Sequence, residues 1–440
     1  MTDINASSAA DAETANPSFA EAFSVWTRIG LLSFCGPAGQ IALMHRILVD
    51  EKKWLPENRF LHALNFCMLL PGPEAMQLAT YAGWMMHGLR GGLAAGIMFV
   101  LPGACVVLAL ALIYATFGNV PLVEALFLGV KAAVLIVVVE ALLRISRKAL
   151  KRPVDWWIAA AAFIAIFFFA APYPLIVLVA ALVGWWLVTA SETDTAPAVA
   201  GTPVRTTETI RTIAVWLAIW LVPLALIGWT LGPDHVIAQT GIFFSKLAVV
   251  TFGGAYAVLA YMAQEVVEGY KWLTAGEMLD GLGLAETTPG PLILVTEFVG
   301  TLAGWRANGG MSFGMALAGA AVTLWATFVP CFLWIFAGAP YIERLGENAR
   351  LKSALAGVTA AVVGVILNLS LWFALHVLFA TVTRTHAGPL QLWIPDFTTL
   401  DFRAFTLALI ATATLLFLHW GILPTLALCA GLSSAWYAMS

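Results

Sequence analysis

The sequence predicts an all-α polytopic membrane protein built from two homologous halves, and three observations support this fold class. Hydrophobic residues make up 61% of the 440 residues and charged residues only 11%, whereas soluble domains carry about 25% charged residues. Apolar segments long enough to cross a bilayer recur along the chain. The two halves also match each other, including a Pro-Gly-Pro that interrupts apolar sequence in both.

The apolar segments predict transmembrane helices, because such a helix needs about 20 predominantly apolar residues. Periodicity alone does not separate a strand from a buried helix here, but length and continuous hydrophobicity favour helices. The segments that approach or exceed the required length are Gly91–Phe117, Leu122–Leu143, Val154–Pro172, Leu175–Thr189, Ile213–Leu231, Met311–Ala337, Ala354–Thr381, Phe405–His419 and Ile422–Met439.

The internal repeat is visible when the sequence is compared with itself. Arg28–Pro73 aligns without a gap on Lys246–Pro291, 218 positions further along. Pro102 and Pro330 match at a spacing of 228, as do Gly129-Val130 and Gly357-Val358. Two homologous halves follow from these matches.

The repeat divides the chain into five parts. Residues 1–18 are rich in Ala, Ser, Asp and Thr without a signal-peptide pattern, which predicts a disordered N-terminal tail. Residues 19–190 form the first repeat and residues 237–440 the second. Residues 191–206 are polar and rich in Pro, Gly and Thr, which predicts a linker. Residues 207–236 predict an extra transmembrane linker helix.

The basic residues predict that the two repeats have inverted topology. They cluster in residues 45–53 and 144–152 of the first repeat, whereas the equivalent connections of the second repeat carry Glu265 and Glu268 or almost no charge. The cations of the second repeat instead lie at Arg344, Arg350 and Lys352, opposite a first-repeat loop, Gly118–Val130, whose only cation is Lys131 at its end. Because basic residues mark one side of the membrane, this exchange favours inverted repeats, the architecture of secondary transporters with broken helices.

The helix breaks predict an anion-binding site near the repeat interface. Proline lacks an N–H and disfavours helix in the preceding residue, so a Pro-Gly-Pro must be buried in protein or line a wet cavity. Gly-Pro and Gly-Gly motifs interrupt the first helix of each repeat. A helix that restarts after such a break has free N–H groups at its N-terminus, and these groups can bind an anion. The candidate binding residues are Arg28, Gly36, Pro37, Gly39, Gln40, Asn65, Pro71, Gly72, Pro73, Lys246, Gly253, Gly254, Thr287, Thr288, Pro289, Gly290 and Pro291.

Two carboxylates, Glu74 and Glu286, flank the Pro-Gly-Pro motifs from opposite sides. A carboxylate in an anion site is unfavourable unless it is protonated, which makes both residues candidate proton carriers. Structural alternatives stay open: Glu74 as a helix-start charge, the glycines as close helix contacts, and the two cations as snorkelling side chains.

The sequence contains no motif for a cofactor or for catalysis. The five cysteines are scattered without a C-x-x-C, and the histidines have no partners at metal-ligand spacing. The Pro-Gly-Pro-Glu segment lacks the G-K-[ST] of a phosphate loop. We therefore expect no metal, no cofactor, no enzyme activity and no nucleic-acid partner. The expected partners are a small anion and the lipid bilayer, with a homodimer as an option.

The motifs around the breaks resemble those of the chromate ion transporter family, long two-domain type. They are L-S-F-C-G-P-A-G-Q and L-P-G-P-E-A in the first repeat, and V-T-F-G-G-A-Y and A-E-T-T-P-G-P in the second. The resemblance covers about Phe19–Ala190 and Ile237–Ala438. One departure is Cys35, which replaces the first glycine of the family's usual Gly-Gly-Pro.

This resemblance implies chromate efflux from the bacterial cytoplasm across the inner membrane, which confers chromate resistance. We expect alternating access coupled to an ion gradient, most simply of protons. Two alternatives stay open: a transporter of the chromate analogue sulfate or of another small anion on the same fold, and an anion channel.

Overall fold

The computed structural model describes residues 17–34, 36–118, 120–187, 206–250, 252, 255–341 and 349–439. Residues 1–16 of the predicted tail, residues 191–205 of the predicted linker and Cys35 lie outside these ranges, as do the candidate site residues Gly253 and Gly254. The described part contains sixteen α-helices and one β-hairpin.

Seven helices form the first part of the chain, called half one below. Helix α2 continues into a π-helical turn, Arg46–Glu51, and the long helix α4 is kinked at His87 and Gly88, where the backbone leaves helical geometry. The helices are α1 (Phe19–Leu32), α2 (Gly36–His45), α3 (Glu57–Cys67), α4 (Glu74–Phe117), α5 (Pro121–Ala149), α6 (Pro153–Phe169) and α7 (Tyr173–Trp186).

The linker helix α8 (Thr206–Leu231) leads to half two, which follows the same order. Helix α10 again continues into a π-helical turn, Glu265–Gly269, and two separate helices, α12 and α13, stand where half one has the kinked α4. The helices are α9 (Val236–Val250), α10 (Ala255–Gln264), α11 (Ala275–Thr287), α12 (Val295–Trp305), α13 (Phe313–Gly338), α14 (Ala349–Leu378), α15 (Phe402–Thr412) and α16 (Ile422–Met439).

The length and composition of these helices confirm a multi-pass membrane protein. In the described ranges, six helices are long and apolar enough to cross a membrane: α4, α5, α8, α13, α14 and α16. Shorter apolar helices of 10–17 residues accompany them. Each apolar segment singled out in the sequence overlaps one of these helices over most of its described residues.

Local sequence explains where several helices begin. Helix α11 starts with a capping box, in which the Thr274 hydroxyl accepts from the Glu277 N–H and the Glu277 carboxylate accepts from the Thr274 N–H. The Asp401 carboxylate accepts from the first N–H groups of α15. Helices α5, α6 and α7 have proline in their first turn, where no N–H is needed.

The backbone reproduces the repeat at a turn that both halves share. Lys53 and Lys271, 218 positions apart, are both left-handed, with φ of 54° and 56°. The amides of the following Trp54 and Trp272 each donate to the carbonyl six residues earlier, at 2.8 and 3.0 Å. Such conformations are costly outside glycine, so their recurrence shows that both halves keep the same turn.

The two halves interlock by exchanging helix contacts. Helix α5 of half one packs against α15 and α16 of half two, and α14 of half two packs against α6 and α7 of half one. The matched Gly129 and Gly357 make these contacts close: a Cβ on Gly129 would overlap the Cys429 carbonyl, and a Cβ on Gly357 would overlap the Ala180 carbonyl. One continuous hydrophobic core therefore spans both halves.

Half two contains a β-hairpin between α14 and α15, which the sequence did not predict. Strands β1 (Val382–Ala387) and β2 (Leu390–Pro395) pair antiparallel around Gly388, whose φ is +64°. In half one, α5 runs into α6 through residues 150–152 alone. The hairpin is short enough to leave the predicted helical fold class intact.

Candidate functional site

The first break comprises residues 68–73, between the end of α3 and the start of α4. Gly72 has a φ of +117°, which favours glycine because a side chain would be strained there. The buried Gln77 side chain, one turn into α4, donates from Nε2 to the Pro71 carbonyl at 2.7 Å. This bond satisfies a carbonyl that the interrupted helix leaves without an N–H partner.

The second break comprises residues 288–291, between α11 and the 3₁₀ turn Leu292–Leu294 that leads into α12. Its Gly290 has a φ of +95°. The Gly290 N–H donates to the Ser33 carbonyl at 2.7 Å, and Gln40 Nε2 donates to the Gly290 carbonyl, also at 2.7 Å. Ser33 and Gln40 belong to half one, so the first helix break of half one holds the Pro-Gly-Pro of half two.

The two breaks lie against matched positions of the opposite halves. A Cβ added at Gly103 in α4 would overlap the Pro289 carbonyl of the second break. A Cβ added at Gly72 would lie 3.0 Å from Cys331 Sγ in α13. Gly103 and Cys331 are 228 positions apart and follow the matched helix prolines. Both breaks therefore lie at the interface of the halves, where repeat transporters place their substrates.

The carboxylates near the breaks are concentrated in half two. Glu286 is buried on α11 and accepts from Tyr256 Oη at 2.8 Å, while its second oxygen has no partner among the described residues. Glu297 is buried on α12, and one of its oxygens likewise has no partner in the described ranges. Glu74 begins α4 and is half-buried. Buried carboxylates in a membrane protein are candidates for proton or ion binding.

The two predicted cations face acidic residues rather than the Pro-Gly-Pro segments. Arg28 is 55% exposed, and its Nη1 lies 3.7 Å from Glu51 Oε2. Lys246 is exposed on α9 and close enough to Glu265 for their charges to interact. Glu51 and Glu265 both lie in the π-helical turns, so in each half the predicted cation faces a carboxylate of that turn. Anion binding by Arg28 and Lys246 stays a prediction.

The predicted residues around Gln40 lie in the first turn of α2. Gly36 has a φ of +72° with open space beside it, and Pro37 is half-buried. Gly39 is exposed, as is Asn65 on α3. Of this group, Gln40 is therefore the residue that bonds to a Pro-Gly-Pro.

The two threonines where α11 meets the second break bond to carbonyls of α11. Thr287 Oγ1 donates to the carbonyls of Gly283 and Leu284, at 3.1 and 2.9 Å. Thr288 is buried, and its Oγ1 lies 3.4 Å from the Ala285 carbonyl. A role as substrate donors requires these hydroxyls to turn away from α11.

Sequence reasoning missed a charged cluster between the halves. Asp280 on α11 bonds to Tyr114 on α4 and pairs with Lys131 on α5. A lone aspartate in the apolar run M-L-D-G-L-G-L was the available signal, since ionisable residues in such segments are rare. Its partners could not be found from sequence because they lie about 150 residues away.

The similarity to known proteins agrees with this architecture. The sequence model described as "Chromate transporter" matches residues 20–185 and 238–435, one region in each half. The chain belongs to the chromate transporter family. This is a family of transport proteins, so the chain is classed as a membrane transporter and not as an enzyme.

Several curated relatives are similar over most of their length. The chromate transport protein of Pseudomonas aeruginosa is 33% identical over 354 residues, which cover 79% of both chains. The chromate transport protein of Cupriavidus metallidurans is 29% identical over 347 residues, 77% of this chain and 78% of that protein. An uncharacterized transporter of Methanocaldococcus jannaschii is 25% identical over 362 residues, 82% of this chain and 86% of the relative. No solved structure matches this chain.

Proposed function

We propose that this protein is a secondary active transporter that exports chromate from the cytoplasm across the bacterial inner membrane and so confers chromate resistance. The observation that carries this proposal is the reciprocal placement of the two breaks, each against the matched position of the opposite half. The names of the relatives from P. aeruginosa and C. metallidurans support chromate as the substrate.

Chromate would bind between the two breaks. It is a tetrahedral dianion, and the helices that restart at Gly36, Glu74 and Leu292 offer N–H groups and the positive ends of their dipoles. Arg28 and Lys246 would supply positive charge by exchanging their acidic neighbours for the anion. Inverted repeats would present one break to each side of the membrane, which is the geometry that alternating access needs.

A proton gradient would drive export, with Glu286 or Glu74 as carriers. Glu286 is the stronger of the two, because it is buried, has an unpartnered oxygen among the described residues and is held by Tyr256. A carboxyl that alternates between protonated and charged states can repel or admit an anion nearby. Transport would then exchange protons for chromate.

Uptake of radioactive chromate into everted membrane vesicles tests this function. Vesicles with the wild-type protein should accumulate chromate above vesicles without it, and a protonophore should abolish the accumulation. Arg28→Ala and Lys246→Ala should lower the initial rate, while Arg59→Ala, at an exposed position on α3, should not. Wild-type rates in both variants would remove the two cations from the mechanism.

The same vesicles separate chromate from its analogue sulfate. A chromate transporter should saturate at a lower concentration of chromate than of sulfate, and sulfate should compete only weakly. The reverse order would make sulfate the substrate. Recordings from planar bilayers should show no unitary anion currents, and such currents would identify a channel instead.

A further inference from the structure

The cluster around Asp280 joins three helices across the interface of the halves. Tyr114 Oη on α4 donates to Asp280 Oδ2 at 2.7 Å, and Lys131 Nζ on α5 lies 3.2 Å from the same oxygen. The Asp280 side chain is only 4% exposed, and its Oδ1 has no partner among the described residues. Oδ2 of Asp280 therefore contacts two residues of half one, and Oδ1 has no hydrogen-bond partner among the described residues.

The repeat itself does not account for this cluster. The position in half one that matches Asp280 is the exposed His62, and the position in half two that matches Lys131 is Thr359. Thr359 bonds to a carbonyl of its own helix. The Asp280–Lys131 pair is therefore not part of the duplicated frame that the two halves share.

The surroundings of Asp280 allow one proton to change its charge. The ionisable groups that face it are Lys131 from α5, Tyr114 from α4 and Glu277 one turn earlier on α11. Glu277 is itself paired with Arg306, which follows α12 within half two. Lys131 is thus the cation that balances Asp280, and it retains 23% exposure at the edge of the cluster.

We propose that Asp280 is a proton-binding site that couples proton movement to anion transport; this inference rests on the transport function proposed above. A proton adds to the vacant Oδ1 and forms an O–H bond, and the carboxylate becomes neutral. Lys131 then loses its counter-charge and is free to attract the anion. Loss of the proton restores the ion pair and closes the contact between α5 and α11.

Helix α11 connects this event to the second break. Asp280 lies seven residues before Thr287, about 10 Å along a helix with a rise of 1.5 Å per residue. Breaking a buried ion pair without neutralising it is costly, because an unpaired charge stays out of water. Protonation removes that cost, so α11 can move against half one and carry the second break with it.

Asp280→Asn tests the proposal in liposomes reconstituted with the full-length protein. Asparagine keeps the shape and the bond to Tyr114 but cannot take up a proton. We expect exchange of labelled for unlabelled chromate at equal pH to stay within about twofold of wild type, while accumulation driven by an acidic interior falls about tenfold, in the range of typical coupling free energies. Glu124→Gln, at an exposed position on α5, the helix that carries Lys131, should keep gradient-driven accumulation.

The outcomes are distinguishable. Gradient-driven accumulation at the wild-type level in Asp280→Asn overturns this inference alone. A wild-type protein that moves no chromate in either assay overturns the proposed function and this inference with it. If Asp280→Asn does not fold, the double variant with Lys131→Met leaves no unpaired charge. Exchange without gradient-driven accumulation in the double variant supports the coupling site, and gradient-driven accumulation in it contradicts the site.

Discussion

At the first break, the glutamine that satisfies the Pro71 carbonyl comes from the same half, whereas at the second break Gln40 reaches Gly290 from the opposite half. The backbones correspond: Gly72 and Gly290 both have a positive φ, and both breaks touch the matched position of the other half. The first break is thus held by its own helix, and the second is held across the interface.

The buried ionisable groups near the breaks are also distributed unequally between the two halves. Asp280, Glu286 and Glu297 are buried in half two, and the positions of half one that match Asp280 and Glu286 are His62 and Met68. The duplicated backbone provides a symmetric frame for two broken helices. The polar contacts across the interface and the buried carboxylates are then concentrated at one of them, which makes the second break the place where proton binding and movement between halves can meet.

The largest effect is expected from Gly103→Ala, because the added Cβ meets backbone of the second break, which cannot rotate away. Overpacking of this kind costs about 1–3 kcal/mol of unfolding free energy. Cys331→Ala, at the matched position beside the first break, removes one buried sulfur and should cost about 1 kcal/mol. Thermal unfolding in detergent, followed by tryptophan fluorescence, measures both.

Gly228→Ala is the control for that comparison. Gly228 lies in α8 with open space beside it, and alanine is the better helix former, so this variant should be neutral or slightly stabilising. A loss from Gly103→Ala no larger than that from Gly228→Ala would show that the second break leaves room for a side chain at Gly103, against the close backbone contact described above.

Substitution of the two glutamines sharpens the comparison. Gln40→Leu and Gln77→Leu each leave a carbonyl without its donor, which costs about 1–3 kcal/mol when the carbonyl is buried. Only Gln40 crosses the interface, so we expect Gln40→Leu to slow chromate exchange in liposomes several-fold more than Gln77→Leu. Similar exchange rates in the two variants, at matched amounts of folded protein, would remove the functional difference between the breaks.

The sequence was sufficient to predict the helices and the helix breaks that form the site. The paired Pro-Gly-Pro motifs repeat at a spacing of 218, and the matched prolines and the matched Gly129 and Gly357 at 228, and each marks a backbone feature that the structure contains. Local chemistry decides such features, because a proline cannot continue a helix and a side chain does not fit where two backbones touch. Helices and breaks could therefore be predicted without knowledge of their neighbours.

The polar partners could not be predicted in the same way. Ser33 and Gln40 reach Gly290 from more than 200 residues away, and Lys131 reaches Asp280 from about 150. An internal repeat shows which residues of the two halves are equivalent. It does not show which non-equivalent residues contact each other across the interface. The pairing of Arg28 with Glu51 escaped prediction for a related reason: the π-helical turn that positions Glu51 has no clear sequence signal.

The smallest effect is expected at the hairpin, which half one lacks. Arg384 Nη1 on β1 lies 2.5 Å from Glu268 Oε2 in the π-helical turn after α10, and Arg384 also bonds to Gln391 on β2. Both charged side chains are partly exposed, so Arg384→Gln should lower the unfolding free energy by about 1 kcal/mol or less.

Transport measurements test whether the hairpin contributes to the functional difference between the two breaks. The hydrogen bonds of Arg384 join the hairpin to the π-helical turn after α10 within half two, whereas the contact of the hairpin with half one is the packing of β2 against α6. Arg384→Gln should therefore leave chromate exchange close to wild type, as should His386→Gln at an exposed position of the same strand. Arg384→Gln could instead lose as much exchange as Gln40→Leu while His386→Gln keeps it. That result would show that the hairpin of half two shares in the functional difference between the two breaks.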